Sequence, residues 1–232
     1  MKSLIFDSSA IISITTNNLL NKLSDLKKHY KGEFLITKEV INEIINNPLH
    51  TKKFKLEALQ LANFLANNYI KVYEHDLSNK TNYLLTLANS IYKAQNNYIQ
   101  ILQKAEVESL ALTSLLDADA LVIDERTTRL LIEDPLKLKH LLENKLHTKI
   151  TLDKSNLLYF KKETKNVKVI RSSELMIIAF ELNLFQDYDK SKDLVKDYKK
   201  ELLEGILWGL RLKGCAISIQ EINDVLKFER IR

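Results

Sequence analysis

Short apolar runs alternate with longer amphipathic stretches along most of this chain. Ser3-Leu-Ile-Phe6 is an apolar tetrad closed by Asp7-Ser8-Ser9. The run reads as a buried strand and the polar trio as the N-cap of a helix carrying Ala10 to Ile14. A helix around Leu19 to Tyr30 follows. After Gly32, Phe34-Leu-Ile36 predicts a second strand. Thr37 then caps a helix whose Val40, Ile41, Ile44 and Ile45 share one face, ending at Asn46-Asn47-Pro48. This strand–helix–strand–helix order is the opening of a parallel sheet.

The stretch from about Thr51 to Leu102 has a different pattern. Leu56, Leu59, Leu61, Phe64 and Leu65 keep roughly helical spacing, as do Leu84, Leu87, Ile91, Tyr98 and Leu102. With a short strand at Ile70-Lys-Val-Tyr73 between them, the region reads as a helical excursion, a long hairpin attached to the α/β body. The α/β rhythm then resumes: a helix over Ala105 to Leu116, a strand at Ala120-Leu-Val-Ile123, and a helix from Glu125 to Ile132. Pro135 stands at the favoured first position of another helix. Val167-Lys-Val-Ile170 predicts a late strand, followed by Ser172-Ser173 and a helix over Glu174 to Leu184. Beyond this the chain looks helical, with Leu202, Leu203, Ile206, Leu207 and Leu210 on one face. The expected organisation is an α/β unit over 1–185, with the helical insertion at about 50–103, and a helical extension over 186–232.

Composition narrows the chemistry. The chain has 232 residues, 45% of them apolar, enough for a sizeable core. Its four glycines stand at Gly32, Gly205, Gly209 and Gly214, so it contains no glycine-rich phosphate loop of the dinucleotide or P-loop type. One cysteine leaves no disulfide framework or multi-thiolate zinc site, and predicts a reducing, cytoplasmic setting. No apolar run reaches the roughly 18 residues of a membrane span. Asp7 arrives too early for a secretory signal. Gly205 and Gly209 beside Trp208 read as close packing between soluble helices, and Cys215 as a small buried residue.

Carboxylates are left as the source of chemistry. In a parallel α/β sheet, strand C-termini and the helix starts after them share one edge, where ligands bind. Asp7 ends the first strand, Glu43 lies in the helix after the second, Glu106 opens a later helix, and Asp124 ends the next strand with Glu125 beside it. Each acid has an ordinary structural role available, since carboxylates favour helix starts. Gathered at one edge they repel one another unless a cation neutralises them. Oxygen ligands without histidine or thiolate favour Mg²⁺ or Mn²⁺, and such a site suits phosphodiester hydrolysis.

At these residues the chain resembles PIN-domain nucleases. Leu4-Ile-Phe-Asp-Ser-Ser-Ala-Ile-Ile12 is similar to their first strand and acid. Ile36-Thr-Lys-Glu-Val-Ile-Asn-Glu-Ile44 is similar to their second block. Ala105-Glu-Val-Glu-Ser-Leu-Ala-Leu112 and Leu121-Val-Ile-Asp-Glu-Arg-Thr-Thr-Arg129 resemble the GEAEAIALA and LLIDERRGR blocks of a prokaryotic PIN subfamily, and Val167-Lys-Val-Ile-Arg-Ser-Ser-Glu-Leu175 resembles its closing strand and helix. The resemblance implies a three-layer α/β/α domain with a central parallel sheet. It also implies a Mg²⁺- or Mn²⁺-dependent endoribonuclease acting on single-stranded or structured RNA. The implied metal ligands are Asp7, Glu43, Glu106 and Asp124, with Glu125 as the alternative fourth acid, Ser8 or Ser9 assisting and Arg126 on the phosphate. The pattern departs from the family at Glu106, where aspartate is common and Glu108 is a neighbour, and at Ile123, where threonine is common. The insertion and the C-terminal extension exceed the compact toxin nucleases of the family.

Charge adds one feature. The chain carries +5 overall, yet Lys137 to Arg171 holds ten basic residues against Glu143, Asp153 and Glu163. A basic segment suits phosphate capture, and Tyr159 and Phe160 beside Lys161 and Lys162 are candidates for base stacking. The alternative is a solvated lysine face over core residues. Two other functional readings stand beside the nuclease: a catalytically degenerate RNA-binding or assembly protein, and a module whose helical insertion forms a homodimer or binds a protein partner.

Overall fold

The structure, a computed structural model, describes residues 2–229. The chain runs β1 (Ser3–Phe6), α1 (Ser8–Thr16), α2 (Leu20–His29), β2 (Glu33–Ile36), α3 (Lys38–Ile41), a π-helical turn (Asn42–Asn46), α4 (Asn47–Leu49), α5 (Lys55–Ala66) and β3 (Lys71–Val72). It continues through α6 (Ser78–Ala88), β4 (Tyr92–Ala94), β5 (Asn97–Tyr98), α7 (Lys104–Leu116), β6 (Ala120–Val122), α8 (Arg126–Glu133), α9 (Pro135–Leu146), β7 (Ile150–Leu152), α10 (Lys154–Glu163) and β8 (Val169–Ile170). It ends with α11 (Ser172–Glu181), a 3-10 segment (Gln186–Ser191), α12 (Tyr198–Leu212) and α13 (Ile219–Glu229).

Five strands form a parallel sheet in the order β3-β2-β1-β6-β8. The apolar tetrads form its centre because both faces are covered. Leu4 and Phe6, Phe34 and Ile36, Ala120 and Val122 point into one apolar cluster; Ile5, Leu35, Leu121 and Ile123 point into the other. This period-2 division explains why the strands carry no polar face. Burying side chains such as Ile5 and Phe6 completely contributes about 1.5–3 kcal/mol each. The fold is α/β with helices on both faces of a central parallel sheet.

The region between Thr51 and Leu102 is built into this body. β3 extends the main sheet beyond β2, α5 packs beside the π-helical turn, and α6 packs on α7. In place of the expected long hairpin attached to the α/β body, the region supplies an edge strand and two covering helices. The apolar spacing carried through Ile91, Tyr98 and Leu102 is not helical either. α6 stops at Ala88, and β4 and β5 form a hairpin that pairs with β7 in a second, antiparallel sheet. Its turn places Gln95 and Asn96 at φ 48° and 68° without a glycine to announce it.

The segment from 186 onward shares the core. Leu203, Ile206, Leu207, Leu210, Ile217, Ile222 and Leu226 belong to the same apolar cluster as Leu4 and Phe6. A Cβ at Gly209 would stand 2.5 Å from Asn17 Oδ1, so this glycine lets α12 lie close to α1. The helix expected through the chain's end is present to Glu229; positions 230–232 lie outside the described residues. Among the described residues no helix is long and apolar enough to cross a membrane.

The topology positions the site. From β1 the chain steps outward to β2 and β3, then crosses to β6 and β8 on the other side of β1. α1 leaves β1 onto one face through Ala10, Ile11 and Ile14, whereas α8 leaves β6 onto the other through Leu130 and Leu131. Two neighbouring strands whose helices depart in opposite directions open a crevice at their C-terminal ends.

Candidate active site at the ends of β1 and β6

Asp7 follows β1 and Asp124 and Glu125 follow β6, so all three stand at this edge of the sheet. The two strand ends are tied together by backbone. Asp7 N–H donates to Val122 O at 2.9 Å, and Asp124 N–H donates to Ser9 Oγ at 3.1 Å. Ser9 Oγ in turn donates to Asp7 Oδ2 at 2.5 Å. Ser9 thus links the carboxylate after one strand to the backbone after the other. Ser8 is buried at the start of α1.

The acids use the helix starts in a common way. Asp7 Oδ2 also accepts from Ser9 N–H at 3.0 Å and caps α1. Glu106 Oε2 accepts from Gln103 N–H at 2.8 Å in a capping box at the start of α7. Glu125 Oε2 accepts from Thr128 N–H at 2.7 Å and caps α8. Each of these acids gives one carboxylate oxygen to a helix N-terminus. Asp7 Oδ1 is buried and, among the described residues, has no hydrogen-bond partner.

Their charges act on one another. Burial pushes the Asp7 carboxyl up from its ordinary 3.8 to about 6, against its Ser9 hydrogen bonds and with added repulsion from Glu43. Burial likewise raises Glu106 to about 7, assisted by the negative charges of Glu125, Asp7 and Glu43. Glu43 is exposed and lies in the π-helical turn, a local widening common at functional positions. Asp7, Glu43, Glu106 and Glu125 hence form one electrostatic group.

Asp124 is arranged differently. It is fully buried, and both its oxygens are engaged by the start of α11: Oδ1 accepts from Ser172 N–H at 2.8 Å and Oδ2 from Ser172 Oγ at 2.6 Å. Burial raises its pKa as well. Its carbonyl accepts from Ala216 N–H at 3.2 Å, and Arg171 donates to Ala216 O at 2.9 Å while pairing with Glu174 and Glu221. The α12–α13 connection thus braces the turn that carries Asp124 and Glu125. Nothing in the sequence around Asp124 signals this, because Ser172 and Ala216 are remote in the chain. Cys215 is buried in the same place, its Sγ 3.5 Å from Ser173 Oγ.

Glu108 is occupied elsewhere: its Oε2 accepts from Glu39 N–H at 3.1 Å, at the start of α3. Arg126 stands exposed at the first position of α8. The donor set around Asp7, all carboxylate oxygen with one orphaned buried atom, has the chemistry of a hard divalent-cation site. Among the described residues, no three His, Cys, Asp or Glu side chains close on a single cation position.

The basic segment divides between the two edges of the sheet. α7 starts at the acid edge and runs back to the opposite one, where Ser114 Oγ donates to Glu163 O at 2.8 Å. The end of α10, with Lys165 and Lys168 beyond it, therefore lies away from the acids. Its start lies nearer them, since Asp153 N–H donates to Ile91 O, next to the α6 end that Asn89 ties to Leu102. Phe160 is a fully buried core residue, while Tyr159 is exposed. Arg171 is buried in its own ion pairs, and Lys139 pairs with Glu143.

No family model, curated protein or solved structure matches the chain.

Proposed function

We propose that this protein is a PIN-like, Mg²⁺- or Mn²⁺-dependent endoribonuclease with its site at the ends of β1 and β6. The observation that carries the reading is the raised pair, Asp7 near 6 and Glu106 near 7, set at the switch point of a parallel sheet with Glu43 and Glu125 adding to the field. Acids held in mutual repulsion, one with a buried unpartnered oxygen, are a poor arrangement for stability alone and a suitable one for a cation. The block-by-block resemblance to PIN nucleases supports the same assignment.

Asp7, Glu43, Glu106 and Glu125 would hold the cation. A divalent ion supplies the Lewis acidity for phosphodiester hydrolysis at neutral pH. The chain's own contribution is positional. Asp7 is oriented by Ser9, and Glu106 and Glu125 by the helix starts they cap. Asp124 fixes α11 against the turn from which Glu125 projects, and so acts as a positioning residue. Arg126, exposed beside Glu125, is placed to meet a phosphate.

A second reading, an RNA-binding or assembly protein with a degenerate site, is favoured by the Asp124–Ser172 pairing and by the lack, among the described residues, of a three-carboxylate shell. Cleavage separates the two. Single-stranded and hairpin RNA incubated with Mn²⁺ should be cut by the wild type, and Asp7→Asn or Glu106→Gln should reduce the rate by roughly 100-fold or more. Cleavage that persists in both variants and in EDTA removes the metal site from the account. RNA affinity without turnover supports the second reading. The cytoplasmic setting and an interface on the exposed Leu56 and Leu59 of α5 are further parts of this proposal.

A further inference from the structure

α10 buries one face and displays a chemically uniform other. Phe160 and Thr164 are buried, Asn156 Nδ2 donates to Ser90 O at 2.8 Å, and Glu163 pairs with Lys80. The outward face presents Lys154, Leu158, Tyr159, Lys161 and Lys162, with Lys165 just past the helix end, all exposed. Leu158 is 68% and Tyr159 54% exposed, large values for such side chains on an otherwise packed helix. Among the described residues none of these four lysines forms an ion pair, whereas Lys93, Lys139 and Arg171 of the neighbouring elements do. The face carries no acid.

We propose that this face of α10 is a second contact surface for single-stranded RNA, outside the acid crevice. Unpaired lysines along a helix about 15 Å long supply phosphate neutralisation, and the exposed Tyr159 ring, three residues before Lys162 at the border of the lysine stripe, supplies a stacking platform for an unpaired base. A second copy of the chain is a poor occupant, because two such faces would bring lysines against lysines. A membrane surface is also a poor one: the apolar side of α10 is already turned into the core, leaving two side chains where an interfacial helix needs a whole face. The choice of RNA among polyanions rests on the nuclease reading; the basic, aromatic face does not.

The test is binding without turnover. The full chain in EDTA is titrated into a labelled single-stranded RNA of about 20 nucleotides, longer than the ~4–16 nucleotides such surfaces cover. Anisotropy is read across a range of NaCl concentrations. The variant carrying K154Q, K161Q, K162Q and K165Q is expected to lose affinity and to flatten the log–log salt slope by about 3, near 0.7 per phosphate contact. Tyr159→Ala is expected to weaken binding roughly 5- to 100-fold with the slope unchanged. A control with K31Q, K190Q, K196Q and K199Q removes the same charge from exposed positions elsewhere, and should keep the wild-type slope.

Binding that depends on α10 supports the proposal whether or not the protein cleaves RNA in Mn²⁺. Cleavage with binding indifferent to the α10 variants overturns it and leaves the nuclease reading intact. It is equally overturned if the wild type ignores RNA but binds anionic vesicles, or forms a dimer that Leu158→Glu dissolves. Circular dichroism and thermal melting of each variant separate lost contacts from lost fold.

Discussion

The ends of β1 and β6 carry the same residue type at adjacent positions, and they are wired in opposite ways. Asp7 and Asp124 are both buried just past a strand end, Asp7 directly before α1 and Asp124 one residue before the cap of α8. Asp7 places one oxygen on Ser9 and, among the described residues, keeps the other without a partner. Asp124 places both oxygens on Ser172. The difference shows that topology gathers carboxylates at an edge, whereas remote hydrogen-bond donors decide which of them remain available. Glu125, one residue on, is half-buried and spends one oxygen on Thr128 N–H.

The largest expected effect separates the two ends through pH. Asp7 binds its proton more tightly in the folded chain than in the unfolded one between pH 3.8 and about 6, so metal-free stability falls as pH rises through that window. Glu106 extends the loss from 4.5 to about 7. Asp7→Asn removes the first contribution. The stability difference between variant and wild type should grow in the variant's favour by up to ~3 kcal/mol from pH 4 to pH 7, then level off, as read by urea unfolding in EDTA. A difference independent of pH would mean that Asp7 is not held under repulsion and burial.

Ser172→Ala probes the other end. It strips the hydroxyl from a buried carboxylate oxygen and should cost about 1–3 kcal/mol of stability. In the proposed nuclease Asp124 acts by position, so cleavage should fall by about tenfold or less, well short of Asp7→Asn. Equal losses of cleavage in the two variants would put Asp124 in the metal site itself.

Glu106 and Glu108 give the smallest and sharpest contrast. Glu108→Gln keeps an acceptor for Glu39 N–H and loses only a charge at the start of α3, about 0.3–1 kcal/mol. It should leave cleavage unchanged where Glu106→Gln abolishes it. Loss of cleavage in Glu108→Gln would reverse the assignment of the two acids.

The strands of the main sheet were legible because Leu4-Ile-Phe6, Phe34-Leu-Ile36 and Ala120-Leu-Val122 are apolar on both faces, a pattern that only a covered parallel sheet explains. Asp7 and Glu106 were legible because strand and helix ends mark themselves with capping residues. The second sheet was not. Tyr92, Tyr98 and Leu102 happen to continue the helical spacing of Leu84 and Leu87, and the turn between β4 and β5 uses Gln95 and Asn96 where glycine would have given a signal. The engagement of both Asp124 oxygens was also out of reach. It depends on Ser172, 48 positions away, and on the Ala216 brace from the far end of the chain. The count of basic residues between Lys137 and Arg171 was readable, but their division between two sheet edges follows from the path of α10.

The proposed site gathers Asp7, Glu43, Glu106 and Glu125 around one divalent cation. Calorimetric titration of the metal-free protein with Mn²⁺ at pH 7, repeated in two buffers of different ionisation enthalpy, tests it directly. Saturable binding accompanied by proton release, lost in Asp7→Asn and kept in Ser172→Ala, is the predicted result. A wild type that binds no Mn²⁺, or an Asp7→Asn variant that binds it equally well, would contradict the account.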